Sequence, residues 1–119
     1  MARGVERKLN MSENVPVGVG GVPLLPRNAV IKVIGVPSRW AILTLLGDGQ
    51  PKMVSELAQA LNWPLTTVSK QLHVMKAAGV VVKGQAGMYR IPAQFFPQPG
   101  KPLVDFGYCV LRLDVREPD

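Results

Sequence analysis

The tripeptide Asn62-Trp63-Pro64 constrains this chain more than any other feature, because it interrupts what would otherwise read as one long helix. Proline lacks an N–H and fixes φ, so it is excluded from a helix interior but suits the first position of a new helix. Asparagine tolerates the left-handed backbone that ends the preceding one. The run before the break, Ser55 to Leu61, opens on a serine of N-cap type and puts Glu56 in the first turn, where the helix dipole favours negative charge. After the break, apolar residues fall at Leu65, Val68, Leu72 and Met75, spaced by three and four, and Gly79 supplies the stop. The pattern predicts two helices joined by a tight turn, the second starting near Pro64.

The side of the second helix opposite the apolar stripe carries Thr66, Thr67, Lys70 and His73, with Ser69 and Gln71 on its flanks, and none of these is acidic. Short hydroxyls in the first turn, followed by a lysine and an amide, suit a helix entering a DNA major groove. Such a helix touches phosphates at its N-terminus and reaches base edges with longer side chains. The pair is therefore read as a helix-turn-helix.

Charge supports this placement. From Pro37 to Pro92 there are six basic residues (Arg39, Lys52, Lys70, Lys76, Lys83, Arg90) against two acidic (Asp48, Glu56); from Ala93 onward there are three basic and four acidic. The segment around the helix pair thus carries a net +4 and the part beyond it −1, a balance that permits a polyanion partner at the helix pair. The single cysteine, Cys109, cannot form an internal disulfide, and no apolar run approaches the length of a membrane span. The expectation is a cytoplasmic protein with no membrane partner.

Residues 1–27 join a charged start (Arg3, Glu6, Arg7, Lys8) to a Gly/Pro-rich run without helical or strand periodicity. They are read as a flexible basic arm, either a leader without a core or a contact to phosphate or minor groove, with Leu24 and Leu25 able to dock on the core. Asn28 is expected to cap a short helix to about Ile34 whose Val30, Ile31, Val33 and Ile34 exceed what one face can hide, which suggests a partner. Pro37 or Ser38 starts a central core helix to Leu46, with Trp40 in core or interface. Lys52 to Val54 reads as a short strand. Beyond Gly79, Val80-Val81-Val82 and Met88 to Ile91 flank turn material at Gly84 to Gly87, which gives a hairpin: a wing carrying Lys83, Gln85 and Arg90 beside the recognition helix. Four prolines between Pro92 and Pro102 make an extended connector, and Leu103 to Leu113 reads as one strand apolar on both faces, needing the wing sheet or another subunit to cover it.

Two stretches resemble the ArsR/SmtB type of winged-helix repressor. One is Val36-Pro-Ser-Arg-Trp-Ala-Ile-Leu43; the other runs from Val54-Ser-Glu-Leu-Ala-Gln-Ala-Leu61 through Thr67-Val-Ser-Lys-Gln-Leu72 to Ala78-Gly-Val80. The resemblance covers roughly residues 28 to 92. It implies a bacterial or archaeal dimeric DNA-binding regulator, with Thr66, Thr67, Ser69, Lys70 and Gln71 at the positions that usually face the operator. Metal-sensing members of this type often carry a Cys-x-Cys pair where Met53 and Ser55 stand here, and thioether and hydroxyl are poor substitutes for two thiolates. No metal and no cofactor is expected, and no small-molecule effector is indicated. Members also commonly end in a dimerising helix, where this chain has a proline-rich connector and a strand.

The expected architecture is α+β: a winged helix-turn-helix over 28–92, with about four helices and a hairpin wing, between the arm 1–27 and a connector with C-terminal strand over 93–119. The expected activity is sequence-specific binding of double-stranded DNA by a homodimeric regulator, a repressor by resemblance. Thr66, Thr67, Ser69, Lys70, Gln71 and His73 would lie in the major groove, and Lys83, Gln85 and Arg90 on the wing. The alternative is a protein-interaction module working through the C-terminal strand. An enzyme is disfavoured by one histidine, one cysteine and the lack of a phosphate loop or paired carboxylates. Cys109 reads as a small buried hydrophobe rather than a redox switch.

Overall fold

The computed structural model describes residues 24–115, so the arm expected over 1–27 lies outside the described residues except for its last four. Four helices come first: α1 (Arg27–Ile34), α2 (Pro37–Leu46), α3 (Val54–Leu61) and α4 (Leu65–Ala77). Two short antiparallel hairpins follow, β1 (Val82–Lys83) with β2 (Tyr89–Arg90), and β3 (Leu103–Asp105) with β4 (Val110–Arg112). This is an α+β winged helix-turn-helix. Among the described residues no single helix is long and apolar enough to cross a membrane.

The helix boundaries follow from their end groups. Pro26 rather than Asn28 caps α1, because its fixed φ of −58° aims its carbonyl at the Val30 N–H, 3.1 Å away. The Gly35 break turns α2 by 96° from α1. Ser55 is not the cap of α3. The Glu56 carboxylate reaches back to the Met53 N–H at 2.8 Å, and this three-residue reach sets the helix start at Val54 with Met53 as the cap. Asn62 ends α3 in the left-handed conformation, at φ 56° and ψ 44°.

Helix α4 is anchored by Val68, Leu72 and Met75, each fully buried against α2 and α3. Leu65 does not join this stripe; it is 54% exposed. Helical side chains lean toward the N-terminus and lie over the preceding turn, and the first residue of a helix has no such turn to cover. At the other end Gly79, at φ +85°, completes a Schellman stop: its N–H bonds to the Lys76 carbonyl at 2.9 Å, and that of Val80 to Met75 at 3.1 Å. Leu25 packs on this glycine.

The single strand expected over Leu103 to Leu113 is instead the β3–β4 hairpin. Asp105 Oδ1 accepts the Gly107 N–H at 2.7 Å, and Gly107 takes φ +91°, so Asp-Phe-Gly-Tyr folds back as a turn. Pairing runs Leu103 to Arg112, Val104 to Leu111 and Asp105 to Val110. The hairpin pairs with itself, not with the wing. Its Val104, Phe106, Leu111 and Leu113 enter the same core as the helices, and the Phe106 ring meets Phe95 at 5.1 Å between centroids. Leu24 lies over Gly107, and the Arg27 guanidinium stands 5.9 Å from the Tyr108 ring. Leu24 and Arg27 thus both sit on this turn.

If the hairpin belongs to the core, Phe106→Ala should lower unfolding free energy in a urea titration by about 3–5 kcal/mol. A loss under about 1 kcal/mol, as for a surface site, would contradict this placement.

Candidate nucleic-acid interface

The outward side of α4 is held by what its inward side buries. With Val68, Leu72 and Met75 fixed in the core, Thr66, Thr67, Lys70 and His73 are exposed, and Ser69 and Gln71 are half-buried at the edges. Val74 adds an exposed apolar side chain between them, 42% accessible. The helix contains no Asp or Glu and has a free first turn, so its N-terminal end carries positive potential from the dipole as well as from Lys70.

Gln71 differs from its neighbours. Its Oε1 accepts a 2.7 Å hydrogen bond from Arg39 Nε on α2. Nothing in the residue pattern signals this contact: Arg39 sits at the third position of an otherwise uncharged helix, and only the packing of α2 on α4 brings the two together.

The wing is short and tied down. Val82 pairs with Arg90 and Lys83 with Tyr89, and the Gly84 N–H closes the loop onto the Met88 carbonyl at 2.8 Å. Gln85 lies exposed in a single 3-10 turn at the tip, where Ala86 has φ 59°. The strand expected at Lys52 to Val54 is reduced to one bridge, in which Lys52 and Tyr89 exchange two backbone hydrogen bonds of 2.8 Å. That bridge joins the start of the helix-turn-helix to the wing. Lys83 is exposed with its Nζ 5.8 Å from the Tyr89 ring, and Arg90 is half-buried on the facing strand.

Among the described residues the ion pairs are Lys52 with Asp48, at 2.7 Å, and Arg112 with Asp114, at 3.7 Å. Lys70, Lys83 and Arg90 carry none of these acidic partners. Partial burial would raise the Asp48 carboxyl, but the hydrogen bonds from Lys52 and from the Gln50 N–H outweigh it and hold the group below its ordinary 3.8. A carboxylate held low stabilises the fold above its unfolded value, and that contribution is lost as pH falls through the folded value. Cys109 is half-buried away from this surface, and burial, then the charge of Asp105, push its thiol up, which disfavours the reactive thiolate.

No three His, Cys, Asp or Glu side chains are grouped for a metal among the described residues. A cleft of about 200 Å³ between the α2–α3 loop and the proline-rich connector is lined by Asp48, Gln50, Phe96 and Pro99. The carboxylate there is already paired with Lys52.

Asp48→Asn should cost about 0.2–1 kcal/mol at neutral pH, as for an exposed pair. In thermal melts across a pH series the gap to wild type should close below the ordinary carboxylate range. A gap that persisted at pH 2 would show that Asp48 acts by packing instead.

A helix-turn-helix domain family matches residues 35–83, from the end of α1 to β1. Over 59 residues the chain is 39% identical to the HTH-type transcriptional regulator NmtR of Mycobacterium tuberculosis, an alignment covering 50% of this chain and 48% of the relative. It is 37% identical over 65 residues to the HTH-type transcriptional repressor SmtB of Mycobacterium tuberculosis, covering 52% and 47%. An uncharacterized HTH-type transcriptional regulator of Methanocaldococcus jannaschii is 32% identical over 60 residues, covering 50% of this chain and 67% of the relative. The chain spans about half the length of the two mycobacterial relatives it matches.

Proposed function

The chain belongs to the ArsR/SmtB type of helix-turn-helix regulators, and on that premise we propose that it is a DNA-binding transcriptional regulator, a repressor acting as a homodimer. The observation that carries the reading is the exposed, acid-free side of α4, with Thr66, Thr67, Lys70 and His73 in the open and a basic hairpin, 83–90, directly following it in the chain.

In this reading α4 enters the major groove by its N-terminal half. Thr66, Thr67 and Ser69 are short donors suited to phosphate oxygens at the groove edge, where the first-turn N–H groups also point. Lys70 stands at the centre of the outward side and reaches base edges, with His73 one turn further along and Gln71 at the flank. Lys83 and Arg90, with Gln85 at the tip, lie on the wing and meet the neighbouring backbone or minor groove. One helix of this length reads only a few base pairs. Two copies about 34 Å apart, one turn of duplex, would make a usable site. Ile31 on α1 and Trp40 on α2, 52% and 37% exposed, provide apolar surface for a second copy. The C-terminal hairpin turns Val104, Phe106, Leu111 and Leu113 into the core and leaves Tyr108 and Val110 exposed, so most of its apolar surface is covered within the chain, which favours the DNA-binding reading over a docking strand.

Against a duplex selected from a randomised pool, Lys70→Ala should weaken binding by roughly 1–3 kcal/mol and relax the base preference at one position, with little change in thermal stability. Lys83→Ala should weaken binding to all sequences alike and reduce the slope of log affinity against log salt by about 0.9, one phosphate contact. Unchanged affinity in Lys70→Ala would rule out this docking of α4.

A further inference from the structure

Arg39 is the charged residue that α2 turns toward the recognition helix. Its Nε donates to Gln71 Oε1 at 2.7 Å and its Nη1 to the Lys32 backbone carbonyl at 3.3 Å, so one half-buried guanidinium joins α1, α2 and α4. Lys32 lies in the last turn of α1, where carbonyls lack helical partners. The arginine is thereby fixed at both ends.

Arginine offers donors only, so the amide atom facing Nε must be the carbonyl oxygen; the reverse assignment would set N–H against N–H. The Gln71 carboxamide is held with Oε1 toward α2 and its NH2 group turned away. A free glutamine recognises adenine with both ends of the amide, accepting from N6 and donating to N7. Anchored by its oxygen through a charge-assisted bond, Gln71 instead offers its donor end. Guanine O6 or N7, thymine O4 and adenine N7 can all answer a lone donor in the major groove, but on adenine the N6–H2 group beside N7 then lacks the acceptor that a free glutamine gives it, so adenine loses its advantage.

We propose that Arg39 is a positioning residue that orients Gln71 as a hydrogen-bond donor, so that the base Gln71 faces is guanine or thymine rather than adenine. The inference rests on the DNA-binding reading above and names a specificity determinant within it.

The test selects preferred duplexes from a randomised pool with wild-type protein, then measures Arg39→Met, Gln71→Ala and the double variant on that duplex and on its single-base replacements, with thermal melts of each. At one position the wild type should prefer guanine or thymine over adenine by roughly threefold to tenfold, the range of one net hydrogen bond. Arg39→Met should erase that preference at that position alone and leave the salt slope unchanged. In the Gln71→Ala background it should have no further effect on affinity. If Arg39→Met does not fold, Gln71→Glu takes its place: it keeps the acceptor for Arg39 but has no donor to offer, and should lose the preference at that position, whereas a retained preference would overturn the assignment. Additive losses in the double variant, a salt slope lowered by Arg39→Met, or a wild-type preference for adenine would each overturn the role given to Arg39 while leaving the DNA-binding reading intact. Wild-type protein that selects no sequence would overturn both.

Discussion

Val68, Leu72 and Met75 are the side chains on which the orientation of α4 depends. Each is fully buried, and burial of a side chain of this size contributes about 1.5–3 kcal/mol. Rotating the helix by one residue, about 100°, would expose them and turn Ser69 or Thr67 toward the core, so the exposed positions are consequences of the buried ones. The Gly79 stop matters for the same reason. Its positive φ lets the chain leave α4 abruptly and return Val80 and Val81 to the core, from which the first wing strand continues.

The rest of the core serves to give those three residues something to pack against. A helix pair of this length cannot enclose a core alone, and the chain recruits its C-terminal hairpin for the purpose. Phe106 and Phe95 meet as tilted rings, Leu113 packs on Gly47 at the end of α2, and Leu24 lies over Gly107. The proline-rich connector spans the distance between wing and hairpin, and its Phe95 is buried on the way. The helical and C-terminal parts are therefore mechanically one body among the described residues, with the basic surface of α4 and the wing left outside it.

What was legible in the sequence was whatever depended on neighbours along the chain. The Asn62 break, the Gly79 stop, the inward stripe of α4 and the hairpin around Gly84 all follow from local backbone preference and periodicity. The misreadings came from two sources. Ser55 and Asn28 each stand two residues beyond the actual cap, because the cap is decided by which side chain or carbonyl reaches the free amide, as Glu56 and Pro26 do, and Leu65 matches the apolar spacing but has no preceding helical turn to lie over. The C-terminal hairpin reads as one strand because Asp105-Phe-Gly107 carries its turn signal inside a run that is apolar on both faces and so masks it. The Arg39–Gln71 contact was invisible for a further reason: it spans 32 residues and exists only through helix packing.

In the proposed function α4 and the wing meet DNA, while the C-terminal hairpin belongs to the core. Backbone amide chemical-shift mapping during titration with a selected duplex tests that division directly. The perturbed amides should cluster in residues 65–73 of α4 and in the wing at 83–90, with 103–112 unmoved. Shifts concentrated in the C-terminal hairpin, with α4 and the wing silent, would contradict it.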